Sequence, residues 1–106
     1  MKRAVIKIFG SVQGVFFRAN AAAKARELGL TGWVRNERDG TVLVVAEGEQ
    51  ERLKKLVDWC YNRQGGRDEN KFSSRYNGIG FAKVEKVEVE WEEASGEFRN
   101  FEIKYD

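Results

Sequence analysis

Apolar and polar positions alternate with a period of two from Ala4 to Phe9, within a run of β-branched and aromatic residues, and this predicts a strand over residues 3–9. The next stretch, residues 18–28, is rich in alanine and predicts a helix, with Gly29 as its C-terminal stop. Two further strand-like runs, Gly32-Trp33-Val34-Arg35-Asn36 and Thr41 to Ala46, flank Arg38-Asp39-Gly40. Asp-Gly between such runs predicts a hairpin. Residues 49–62 then place Leu53, Leu56, Val57 and Cys60 at i, i+3, i+4 and i+7, the stripe of an amphipathic helix. A strand follows from about Ala82 to Trp91, where Val87, Val89 and Trp91 alternate with Glu88 and Glu90. A Ser95-Gly96 turn leads to a last strand over residues 98–104, with Phe101 and Ile103 on one face.

The order β-α-β-β-α-β plus a terminal strand predicts an α+β, ferredoxin-like split βαβ sandwich: one antiparallel sheet with two helices on one face. The chain reads as one domain over residues 1–106. Residues 63–80 carry no periodicity; they are polar and glycine-rich, and read as a surface excursion rather than a substrate lid.

Composition narrows the chemistry more than the fold. There is no histidine, so Ser-His and Cys-His catalysis are excluded and the commonest metal ligand is missing. One cysteine, Cys60, forms no internal disulfide and sits on the apolar helix stripe, which points to core packing and a reducing, cytoplasmic setting. A zinc site is not expected, and neither is any other metal or cofactor. The 19 basic and 17 acidic residues nearly cancel, which argues against bulk nucleic-acid binding. The third strand also lacks the aromatic stacking position of an RNA-recognition sheet. No apolar run approaches a membrane span.

The stretch with the most chemistry in it is Gly10-Ser11-Val12-Gln13-Gly14-Val15-Phe16-Phe17-Arg18, between the first strand and the first helix. Two glycines four apart let successive N–H groups converge, and a following helix start adds its positive dipole end. Arg18 supplies a planar fork of donors suited to phosphate or carboxylate. The expected ligand is a small tetrahedral anion.

This loop matches the signature G-x-V-Q-G-V-x-F-R, and residues 32–42 match G-W-V-x-N-x-x-D-G-x-V, without a gap in either. Together they resemble the acylphosphatase family over residues 3–58. The resemblance implies a ferredoxin-like fold and hydrolysis of the carboxyl-phosphate bond of acyl phosphates without metal or organic cofactor. It implies that Arg18 binds the phosphoryl group and that Asn36 holds the attacking water. Ser11, Val12, Gln13, Gly14, Val15, Phe16 and Phe17 then form the substrate-binding loop, with the N–H groups of about Val12 to Phe17 around the phosphate oxygens. The expected partner is a small-molecule acyl phosphate, with no nucleic acid or membrane, for a monomer or weak homo-oligomer. The alternative is a non-catalytic anion-binding regulatory module that keeps the pocket without turnover.

Beyond the motifs, Val12, Val15 and Phe17 read chiefly as packing, Trp33 as core, and Trp59 as a part-exposed residue of no particular role. Asp39 and Gly40 make the turn, and Glu85 to Glu93 supply a solvated strand face.

Overall fold

A computed structural model of the chain describes residues 1–13, 16–61 and 83–105; the 63–80 excursion lies outside the described residues. The elements are β1 (Lys2–Ser11), α1 (Phe17–Glu27), β2 (Thr31–Asn36), β3 (Val42–Gly48), α2 (Gln50–Tyr61), β4 (Lys83–Glu93) and β5 (Phe101–Lys104). They build one five-stranded sheet in the order β4-β1-β3-β2-β5. Ala4, Ile6 and Ile8 of β1, with Val42, Val44 and Ala46 of β3, are fully buried and join Ala21, Ala22, Ala25, Leu53, Leu56 and Cys60 of the helices in one core. Such a core follows from period-two strands meeting helices of period 3.6. The helices are pinned to each other as well, because Phe17 of α1 packs on Trp59 of α2 at 5.5 Å between ring centroids. Trp59 therefore has a structural role that its sequence position did not suggest.

The four strands β4-β1-β3-β2 pair antiparallel, as expected, whereas β5 pairs parallel with β2. Direction explains the difference. β4 runs opposite to β1, residues 94–100 cross the end of the sheet, and the chain must return in the direction of β1 and β2. A strand returning at the β2 edge is necessarily parallel to it. β5 also starts at Phe101 rather than Phe98, whose ring instead lies 5.4 Å from the Arg3 guanidinium. Arg26 of α1 fixes the new edge, donating from Nε and Nη2 to the Phe101 carbonyl at 3.1 and 2.8 Å.

Two local features set the rest of the sheet. The register of β1 with β4 shifts between Phe9 and Gly10, so that Val84 and Val87, three apart, both turn inward. Gly32 sits at φ 137°, where a Cβ would run into the Val45 carbonyl, so only glycine lets β2 approach β3 at this point. Trp33, next along β2, faces away from the helices. It lies between Arg35 and Lys104 at 4.8 and 4.9 Å, so it is a cover of the open sheet face and not core.

The sheet end opposite the glycine loop holds a buried carboxylate that the sequence reading passed over. Glu47 is 4% exposed and accepts from Arg3 Nε at 2.7 Å, Ser95 N at 2.8 Å, Ser95 Oγ at 2.9 Å and Gly96 N at 3.0 Å. Burial pushes its carboxyl up, but the Ser95 and Gly96 N–H groups and the Arg3 guanidinium more than offset that and hold it at about 2, against an ordinary 4.5. A carboxyl depressed in the folded state stabilises fully above about pH 4.5 and loses that contribution as pH falls toward about 2. Glu47→Gln is expected to cost about 1–3 kcal/mol at pH 7. In urea unfolding, the gap between wild type and variant should narrow steadily from pH 4.5 downward. A gap independent of pH would show that the charge of Glu47 contributes nothing.

Candidate active site

The chain leaves β1 at Ser11 and enters α1 at Phe17, and the described residues between them, Val12, Gln13 and Phe16, are each held in place. Val12 is buried (1% exposed) and ties the loop to the core. Gln13 donates both hydrogens of its side-chain amide, to the Glu37 carbonyl at 2.8 Å and the Thr41 carbonyl at 2.8 Å. These carbonyls flank the β2–β3 turn, so one side chain fastens the loop to the hairpin. Phe16, the N-cap of α1, has φ 62° and ψ 18°, the left-handed region that a bulky residue avoids. Its carbonyl accepts from both N and Nδ2 of Asn20, at 3.1 and 2.8 Å, which helps hold that conformation. Gly14 and Val15 lie outside the described residues.

The hairpin is equally well defined. Asp39 Oδ1 accepts from Thr41 N at 3.0 Å and Thr41 Oγ1 at 2.6 Å, and Gly40 takes φ 92°. The Thr41 hydroxyl and N–H, aided by Lys7, hold the Asp39 carboxyl at about 2. Asn36 precedes the turn as the last residue of β2, opposite Val42.

Where the loop and the start of α1 meet the ends of β2 and β5 lies a cleft of about 300 Å³, lined by Val12, Phe16, Phe17, Arg18, Ala19, Asn36, Ile103 and Tyr105. It brings together Arg18 and Asn36, 18 positions apart in the chain. Ser11 and Gln13 are not among its lining residues; Ser11 is exposed at the end of β1, and Gln13 is spent on the hairpin. Ile103 and Tyr105 complete the cleft, and the motifs held no sign of them. Arg18 Nη1 donates to the Lys104 carbonyl at 3.1 Å while its guanidinium lies 4.7 Å from the centre of the Tyr105 ring. Among the described residues no carboxylate pairs with Arg18, so no described carboxylate neutralises its charge in the cleft that it lines. Asn36 Oδ1 is buried and accepts no hydrogen bond from the described residues. Leaving a buried amide oxygen unpaired costs about 1–3 kcal/mol, a cost that folding alone does not explain. Among the described residues no group of three or more carboxylate, thiol or imidazole side chains could hold a metal ion. No helix among them is long and apolar enough to cross a membrane.

The acylphosphatase family model matches residues 4–74. The chain belongs to the acylphosphatase family. A curated acylphosphatase of Roseiflexus is 46% identical over 103 residues, covering 97% of this chain and 95% of the relative. One from Pelotomaculum thermopropionicum is 41% identical over 103 residues, covering 97% and 96%. The crystal structure of acylphosphatase from Bacillus subtilis superposes with a TM-score of 0.80 at 30% identity, covering 99% of this chain and 100% of that one. The protein is thus an acylphosphatase, an enzyme that hydrolyses acyl phosphates, on the ferredoxin-like α+β fold. The reading as a binding module without turnover gives way to this one.

In this acylphosphatase the Gln13 clamp joins the loop to the β2–β3 hairpin. Gln13→Ala removes two hydrogen bonds and should cost about 1–3 kcal/mol in urea unfolding. The same variant should weaken inhibition by inorganic phosphate, because the loop is no longer held to the hairpin. Unchanged stability together with unchanged phosphate inhibition would show that the clamp holds nothing.

Proposed function

We propose that the N–H groups of the 10–18 loop and the Arg18 guanidinium hold the phosphoryl oxygens of an acyl phosphate, and that Asn36 holds the attacking water. The observation that carries this reading is Asn36 Oδ1, buried without a partner in the cleft that Arg18 also lines. A water that donates one hydrogen to Oδ1 turns a lone pair toward a phosphorus held by Arg18. The amide suits this task because it is neutral and offers both an acceptor and donors.

The rest is charge and geometry. A phosphoryl group in transfer spreads negative charge over its equatorial oxygens, so positioning and electrostatic stabilisation supply most of the catalysis. The phosphorus–oxygen bond to the acyl group breaks as the bond to water forms. The carboxylate leaves as a weakly basic anion and needs little help from an acid. One proton of the water passes to a phosphate oxygen, since Asn36 cannot accept it at neutral pH. The products are a carboxylate and inorganic phosphate, and no step calls for a metal or organic cofactor. The near balance of charge favours a small-molecule substrate over nucleic acid. We further read residues 1–106 as one domain that works in the cytoplasm as a monomer or weak homo-oligomer.

Steady-state hydrolysis of benzoyl phosphate in the presence of EDTA tests the assignment. Arg18→Ala should lower kcat/KM by on the order of 10²-fold or more, as loss of an oxyanion donor does, and should weaken phosphate inhibition. Asn36→Ala should lower kcat comparably while phosphate inhibition stays close to wild type. If Asn36→Ala lost only affinity, or if EDTA abolished turnover of the wild type, the roles proposed here would be wrong.

A further inference from the structure

We infer that Phe16 and Tyr105 form an acyl-binding subsite that favours flat apolar acyl groups, an inference that rests on the reading of Arg18 as the phosphate ligand. The cleft is lined by two kinds of side chain. Arg18 and Asn36 bring polar groups to it; Val12, Phe17 and Ile103 bring hydrocarbon. At about 300 Å³ the cleft exceeds what a phosphate needs, since one water occupies about 30 Å³ in the liquid. Much of the lining around that space is apolar.

Phe16 and Tyr105 stand at its mouth from opposite ends of the chain. They are 70% and 73% exposed, so neither ring gains from burial what a core aromatic gains. Phe16 also stands where glycine or asparagine fits without strain, at φ 62°. A large ring kept in water on a strained backbone contributes little to folding, and its place at a cleft points to a ligand. Tyr105 adds the direction. Its ring lies against the Arg18 guanidinium at 4.7 Å and lines the same cleft, so a group held by Arg18 lies close to that ring. In an acyl phosphate the carbonyl carbon is one oxygen away from phosphorus. An acyl group attached to a phosphate on Arg18 therefore reaches the two rings, and a planar one stacks on them.

The experiment compares kcat/KM for benzoyl phosphate and acetyl phosphate, with inhibition by inorganic phosphate measured alongside. The proteins are wild type, Tyr105→Ala, Tyr105→Phe, Phe16→Asn and Arg18→Ala; asparagine is chosen at position 16 because it tolerates the left-handed backbone. Wild type should prefer benzoyl phosphate by about ten-fold, and Tyr105→Ala and Phe16→Asn should each reduce that preference a few-fold, the range of an aromatic contact. Tyr105→Phe should keep it. Equal losses on both substrates with weakened phosphate inhibition would overturn the inference, because Tyr105 would then serve only to support Arg18. Preference unchanged in both variants would overturn it as well. Arg18→Ala reports separately on the phosphate site: if it kept normal phosphate inhibition, the reading beneath the inference would fail, whatever the selectivity of the others.

Discussion

The site depends on one row of the sheet. Val42 of β3 stands opposite Ile8 of β1 on one side and Asn36 of β2 on the other, and residues directly opposite in antiparallel strands share a face. Ile8 and Val42 are fully buried, so the row is fixed by hydrophobic burial and not by the polar residue at its end. A slip of β2 by one residue would send Asn36 to the open face and Arg35 toward the helices. The core forbids it, because Val34, fully buried, would go with them. The Asn36 amide is thus placed by a valine, an isoleucine and a second valine, all fully buried. Gly32 permits the approach of β2 to β3 on which that row depends.

Three strands in register still leave the loop free to wander, and the loop carries half of the site. Gln13 closes that freedom by spending both amide hydrogens on the hairpin that begins where Asn36 ends. Phe16 then turns the chain through the left-handed region directly before α1 starts, so that Phe17 drops into the core and Arg18 follows along the cleft. Strain at Phe16 of the order of 1–3 kcal/mol is sustained by the burial of Phe17 and by the two bonds from Asn20. Strain held by its surroundings is a way of presetting the geometry of a loop.

Much of this was legible in the sequence because it is written in local signals. Alternation marked β1, alanines and Gly29 marked α1, and Asp39-Gly40 marked the hairpin. The two motifs led to Arg18 and Asn36, which the cleft brings together. Non-local facts were not legible. The direction of β5 follows from the number of strand reversals before it, not from any residue within Phe101–Lys104. Trp33 alternates with Gly32 and Val34, yet nothing local says which face meets the helices; the buried Val34 decides it. Glu47 sits at the end of a run of apolar residues and is buried because Arg3, Ser95 and Gly96, distant in sequence, surround it. Tyr105 meets Arg18 only because a parallel edge strand delivers it there.

That delivery links the two ends of the molecule. Glu47 lies five residues along β3 from Val42, about 17 Å at the rise of a strand. Its bonds to Ser95 and Gly96 hold the start of the 94–100 crossing against the sheet, and Asn100 continues the restraint by accepting from Gly32 N at 2.9 Å. Both contacts precede Phe101, whose carbonyl is then taken by Arg26. From there β5 has no freedom of register: Ile103 must stand beside Val34, and Lys104 must bring its carbonyl to Arg18. A buried carboxylate remote from the cleft thus determines where the last strand begins, and the strand determines where Tyr105 ends. The same arrangement anchors this carboxylate at the far end of β3, away from Arg18.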